Sequence, residues 1–151
     1  MSMVRIVRPE PAHRGEWERL YAAYAAFYEV EQTAEMRARV WSWLHDPGHM
    51  VEALIALDAA GKPIGLAHFR SFARPLAATM GGFLDDLFVD PPARGSGAAT
   101  ALIAALAEEG RRRGWTVIRW ITAENNYRAR AVYDRLATRT GWVTYDLRLG
   151  G

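Results

Sequence analysis

A chain of 151 residues is long enough for one domain with a real hydrophobic core. Its content of 50% hydrophobic and 11% aromatic residues argues against disorder, and a net charge of +2 is too small to imply nucleic acid. The absence of cysteine excludes a disulfide scaffold, a catalytic thiol and a thiolate-rich zinc site. No apolar run approaches the roughly 18 residues of a membrane span, and no signal peptide opens the chain. A single cytoplasmic domain over 1–151 is expected, with neither membrane nor nucleic acid as partner.

In chain order, residues 4–8 alternate apolar and basic side chains and read as a strand ended by Pro9. Trp17, Leu20, Tyr21, Tyr24 and Phe27 recur at helical spacing over 13–27. A second helix is expected over 33–44, with Thr33 as its cap and Asp46-Pro47-Gly48 after its end. Residues 51–57 and 63–72 form the arms of a hairpin around Asp58-Ala59-Ala60-Gly61. A strand over 80–89 follows, then a helix over 98–113 stopped by Gly114. Residues 115–121 are a dense strand run, 126–136 a helix and 142–149 a last strand. The order β-α-α-β-β-β-α-β-α-β places antiparallel strands before a β-α-β crossover, so an α+β domain with a mixed sheet is expected.

The stretch between the fourth strand and the helix at 98 carries the chemistry. Pro91 and Pro92 cannot continue a strand. Gly95 and Gly97 allow a tight turn that brings bare N–H groups against a ligand. The helix that follows adds unpaired donors and the positive end of its dipole, a combination suited to phosphate oxygens. A P-loop would need Gly-Lys-Ser/Thr, yet Lys62 is the only lysine. A dinucleotide fingerprint would set Thr100 where a third glycine or alanine belongs, with Glu124 a distant acidic candidate. The run Arg111-Arg112-Arg113 falls at a helix C-terminus, where cations are favoured, and contact with phosphate or RNA is the alternative.

Arg94-Gly95-Ser96-Gly97-Ala98-Ala99 resembles the Arg/Gln-x-x-Gly-x-Gly/Ala signature of the GCN5-related N-acetyltransferases, the GNAT superfamily. About 30 residues downstream, Asn126, Ala129 and Tyr133 match that family's second pattern. Among its members the chain most resembles the small Hpa2-like acetyltransferases, through Phe27-Tyr28-Glu29-Val30, Asp86-Leu87-Phe88-Val89-Asp90-Pro91 and Tyr133-Asp134-Arg135-Leu136-Ala137. The resemblance implies a mixed, mostly antiparallel sheet of six to seven strands flanked by four helices, with strands 4 and 5 splayed. It implies acetyl-CoA, or another acyl-CoA, as co-substrate, with no metal. Backbone N–H groups of Gly95, Gly97, Ala98 and Ala99 would meet the pyrophosphate, with Arg94 and Ser96 in the same turn. The pantetheine arm would pair along Leu87, Phe88 and Val89, and Asn126 would bind it from the other side. Tyr133 stands where the family places its general acid, and a phenol is protonated at neutral pH.

With no cysteine to carry an acyl group, transfer would be direct, from thioester to amine in a ternary complex. Of Asp85 and Asp86, adjacent strand residues that should face opposite sides, Asp86 is favoured as base or amine anchor. Tyr28, Glu29 and Glu31 would join the aspartates in an acidic pocket for a cationic amine. The expected acceptor is a primary amine of a small molecule, polyamine- or amino-acid-like. Alternatives are a protein lysine or N-terminal amine, or a CoA-binding sensor without activity. The four histidines lack metal spacing, and His68 reads as an ordinary strand residue, with a cleft-facing position the alternative. A homodimer is implied by the family, with the final strand, which often helps form the dimer, displaced by the insertion Ala137-Thr138-Arg139-Thr140. The six tryptophans read mostly as core, with Trp17, Trp41 and Trp43 also on helices that could meet a partner.

Overall fold

From the N-terminus the chain passes through β1 (Arg5–Val7), α1 (Arg14–Phe27), α2 (Ala34–Leu44), β2 (Glu52–Leu57), β3 (Pro63–Arg74) and β4 (Thr79–Val89). It continues through α3 (Ala98–Arg113), β5 (Ile118–Arg119) and α4 (Tyr127–Leu136). This architecture is that of a computed structural model, which describes residues 3–150. Met1–Ile121 forms one compact unit and Thr122–Gly151 a second.

The first unit holds a five-stranded sheet in the order β1-β2-β3-β4-β5. The first three pairings are antiparallel and β4–β5 is parallel, giving a mixed, mostly antiparallel sheet. On one face Trp17 and Leu20 of α1 and Trp41 of α2 pack with Ile55, Leu57, Leu66 and Phe88. Burying each such side chain contributes about 1.5–3 kcal/mol. Trp17 and Trp41 therefore belong to the core, not to a surface for a partner. The opposite face receives α3: Gly65, which alternates with Leu66, leaves room for Leu102.

The strand expected over 115–121 is a strand only at Ile118–Arg119, although Thr116 and Val117 already bond to Met80 and Gly82 of β4. Parallel pairing covers only Gly82↔Ile118 and Phe83↔Arg119, so β4 and β5 separate after two positions. Trp115 turns into a slot between β4 and α3, where a Cβ on Gly82 would lie 2.3 Å from its ring and one on Gly110 2.8 Å.

The sheet has five strands among the described residues, fewer than the six to seven expected, because 142–149 pairs with no strand. Its alternation of apolar side chains is suited to a half-buried strand, but a strand forms only where a neighbour accepts its N–H and C=O groups. Here Trp142 is 88% exposed and Leu149 91%. The run Arg111–Arg113 is paired with carboxylates, Arg113 with Glu52 at 2.7 Å and Arg112 with Glu109 at 2.8 Å. Arg113 therefore fastens the end of α3 to β2, while Arg111 and Arg112 pair within the helix. No described helix is long and apolar enough to cross a membrane.

Two glycine substitutions test this packing in opposite directions. Gly82→Ala forces Trp115 from its slot and is expected to cost about 1–3 kcal/mol. Gly15→Ala, where nothing lies within 4 Å, is expected to stabilise α1 by up to about 1 kcal/mol. Urea unfolding measures both, and a neutral Gly82→Ala would contradict the slot.

Candidate active site

β4 delivers the chain to the glycine turn. Asp90 is tied by its N–H to the Ile64 carbonyl at 2.8 Å and by its carboxylate to Arg19 at 3.1 Å. A single 3-10 turn over Pro91–Ala93 follows, and Gly95 and Gly97 both take φ of +86°. An L side chain at either would cost about 1–2 kcal/mol. Gly97 is the N-cap of α3, and the first helical bond runs from Ala101 N–H to its carbonyl at 2.9 Å. Ala99 and Thr100 precede that bond and have no acceptor within the helix. Ala98, also expected to face a phosphate, gives its N–H to Ser96 Oγ at 3.3 Å. Arg94 is exposed, its guanidinium 5.9 Å from the Phe27 ring.

Leu87, Phe88 and Val89 pair on one side with Ala67, Leu66 and Gly65. On the β5 side, β4 has no ladder partner beyond Phe83 among the described residues. The separation leaves a length of open strand edge leading to the glycine turn.

Opposite the same part of β4 lies a cavity of about 210 Å³, lined by Tyr21, Val40, Trp43, Val51, His68, Arg70, Asp85 and Asp86. Asp85 and Asp86 both face it, against the expected alternation. The cause is a β-bulge: His68 pairs with Asp86 but the next residue, Phe69, pairs with Leu84, so Asp85 is extra. Asp85 then meets Arg70, whose Nε lies 3.2 Å from each carboxylate oxygen. Arg70 itself rests 4.8 Å above the Phe83 ring.

Asp86 sits in a denser network. Its Oδ2 accepts from Tyr21 Oη at 3.0 Å and lies 2.8 Å from His68 Nδ1. His68 Nε2 accepts from the Trp17 indole at 3.0 Å. Burial works to raise the Asp86 carboxyl, but the bonds from His68, Tyr21 and Tyr24 prevail and hold it below the ordinary carboxylate range. Asp85 moves the other way, raised by burial against the pull of Arg70. Burial, then the charge of Asp86, pushes the Tyr21 and Tyr24 phenols well above their usual value.

The loop after α1 supplies none of the residues that line this cavity. Tyr28 lies edge-to-face with Tyr24 and Phe27, both at 5.0 Å. Glu29 closes α1 with φ of +55°, a left-handed conformation unusual outside glycine. Neither Tyr28, Glu29 nor Glu31 lines the cavity with Asp85 and Asp86. The residues that do, and that sequence reasoning passed over, are Tyr21 and Arg70. Arg70 had one available signal, since it stands two residues from His68 on the same strand face.

In the second unit Asn126 caps α4, its Oδ1 accepting from Ala129 N–H at 3.3 Å. Tyr133 is half-buried and stands seven residues on, about two helical turns, so it shares a side of α4 with Asn126. Among the described residues no group of three or more metal-ligating side chains occurs.

The network around Asp86 has a pH signature. A carboxyl lowered in the fold gives stability that is complete above the unfolded value, about 3.9, and lost as pH falls through the folded one. Asp86→Asn is therefore expected to lose on the order of 1–3 kcal/mol at pH 7. The deficit should shrink at pH 3 in denaturant titrations, and one that stays constant would overturn the assignment.

The sequence matches the acetyltransferase (GNAT) family over residues 17–137. It is 26% identical over 137 residues to the D-amino-acid N-acetyltransferase HPA3 of Saccharomyces cerevisiae, covering 90% of this chain and 85% of that protein. The fold superposes on a ribosomal-protein-alanine N-acetyltransferase from Brucella melitensis biovar Abortus with a TM-score of 0.79 and 25% identity, covering 97% of this chain and 99% of that one. The aminoglycoside N-acetyltransferase AAC(6')-Iy, solved in complex with CoA, shares the fold with a TM-score of 0.81 at 21% identity, over 99% and 97% of the two chains. With two motifs, a splayed β4–β5 pair and a family match over most of its length, the chain belongs to the GNAT family and is an N-acetyltransferase.

Proposed function

We propose that the enzyme moves an acetyl group from acetyl-CoA directly to the primary amine of a small molecule, in a ternary complex in the cytoplasm. The observation that carries this reading is the glycine turn at the start of α3, set beside the open edge of β4. Left-handed Gly95 and Gly97 keep the turn clear of Cβ atoms, and the first-turn amides with the helix dipole suit a pyrophosphate. Leu87, Phe88 and Val89 offer backbone groups to the amides of a pantetheine arm, and the family resemblance adds Asn126 to the residues that bind it. The bound donor supplies an acyl thioester; everything else falls to the side chains.

Asp86, kept ionised by its donors, anchors the acceptor's ammonium. Asp85 is the better proton acceptor of the pair, because burial resists its charge, and it takes the proton that the attacking nitrogen must lose. Tyr133 returns a proton to the sulfur that leaves.

The charge of the cavity favours an amino-acid-like acceptor over a polyamine. Asp85 is already matched by Arg70, which leaves Asp86 as the one uncompensated carboxylate in the lining. A compact molecule with one ammonium and one carboxylate would place them on Asp86 and on the outer nitrogens of Arg70. Trp43, Val40 and Val51 supply an apolar wall for its side chain. The substrate in the name of the yeast relative is of this class.

Release of CoA thiol from acetyl-CoA tests the reading, using amino acids, their decarboxylated amines, polyamines, aminoglycosides and alanine- or lysine-ended peptides. Amino acids should turn over best, and Tyr133→Phe should lower kcat by roughly 10²-fold or more. Best turnover with peptides would favour protein acetylation. Binding of acetyl-CoA with no turnover on any amine would overturn the enzymatic reading in favour of a sensor.

We also propose a homodimer. Val143, Tyr145, Leu147 and Leu149 form one alternating apolar row in the C-terminal segment, each at least 74% exposed. Such a row in a chain of 16.9 kDa is suited to strand pairing with a second copy. Sedimentation should give twice the chain mass, falling to a monomer for the double variant Tyr145→Asp, Leu147→Asp; a monomeric wild type would refute it.

A further inference from the structure

An aspartate and a histidine in contact within an acceptor cavity invite assignment as a base pair, in which the imidazole takes the proton of the amine. The geometry around His68 excludes that role. An indole N–H can only donate. With the Trp17 nitrogen 3.0 Å from His68 Nε2, that imidazole nitrogen must accept. The ring proton then resides on Nδ1, which donates to Asp86 Oδ2 at 2.8 Å. The lone pair that a general base would use is filled by a donor that never gives up its proton. It is also sealed from solvent, since Trp17 and His68 are each 1% exposed.

We propose that His68 is a positioning residue: locked into one tautomer by Trp17, it is a fixed N–H donor that holds the Asp86 carboxylate against the Tyr21 hydroxyl in the orientation that anchors the acceptor's ammonium. The assignment rests on the proposed function for the identity of the substrate, but not for the tautomer. Three rigid contacts define the chain of command. Trp17 is clamped between Trp41, at 5.0 Å, and Tyr21, at 5.4 Å. His68 sits on central strand β3, directly opposite Asp86 on β4. Tyr21 lies edge-on to the His68 ring at 4.6 Å and donates to the same carboxylate oxygen. A substrate entering the cavity meets a carboxylate already turned by donors from His68, Tyr21 and Tyr24, so little ordering remains to be done on binding.

Two substitutions separate this role from simple core packing. In His68→Asn the amide nitrogen can replace Nδ1 and keep the bond to Asp86, while the acceptor for Trp17 is lost. In His68→Gln the amide oxygen can replace Nε2 and keep the bond to Trp17, while the donor to Asp86 is lost. The expected result is a KM for the amine raised roughly tenfold or more in His68→Gln and much less in His68→Asn, with the KM for acetyl-CoA unmoved in both. Equal effects of the two, or a collapse of kcat at unchanged KM, would overturn the proposal. Nitrogen-15 spectra of the wild-type protein at neutral pH decide the tautomer with no substitution and no turnover. Protonated Nδ1, bare Nε2 and a downfield Trp17 indole proton are expected, and a proton on Nε2 would refute the lock. Absence of turnover on every amine, with that spectrum intact, would refute the proposed acceptor chemistry and leave the tautomer standing.

Discussion

The extra residue in the β3–β4 ladder is the constraint on which the cavity beside β4 depends. Strand geometry alone would put Asp85 and Asp86 on opposite faces of the sheet. The shift between His68 and Phe69 cancels one step of the alternation, so both carboxylates reach the face covered by α1 and α2. The same shift sends Leu84 to the other face, where it is buried, and sets Arg70 opposite Phe83. One inserted position thus decides the cavity's charge, its cation and its floor. It also brings two carboxylates to one face in different company, one joined to a guanidinium and the other to neutral donors.

The tolerance of that arrangement comes from the core beneath it. An ionised carboxylate taken out of water must be repaid with hydrogen bonds or it will neutralise. Asp86 finds its donors on β3 and α1, elements already fastened by the packing of Trp17, Trp41, Leu66 and Phe88. The tryptophan that closes the network is itself a centre of the core. Stability and site geometry therefore share side chains here, and mutations at Trp17 or His68 act on both.

The turn and the helix over 91–113 were legible in the sequence because they are built from local rules. Left-handed glycines and a helix start at Ala98 each follow from residue type and its nearest neighbours, and the bounds of α3 agree residue for residue. The cavity beside β4 was less legible because it depends on pairing between distant segments. No local pattern announces a bulge at Asp85, and His68 read as an unremarkable strand histidine until Trp17, 51 residues away, filled its second nitrogen. The apolar alternation of 142–149 has the opposite fault. It is a strand signal that the described structure does not bear out, because no neighbouring strand accepts its backbone groups, and propensity is silent about neighbours.

A division of labour between rigid and adaptable parts follows. His68, Arg70, Asp85 and Asp86 all stand on the longest ladder of the sheet, and Trp17 and Tyr21 on a helix packed against it. Groups that must hold charge in a set orientation gain from elements that cannot shift without breaking many bonds. The loop after α1 obeys a different logic: Glu29 holds a left-handed backbone that costs an ordinary residue on the order of 1 kcal/mol, and Phe27, Tyr28 and Val30 are exposed. The ionisable side chains that line the cavity come from the β3–β4 ladder and from α1, and none of them from this loop, so their orientation is set where the fold is hardest to shift.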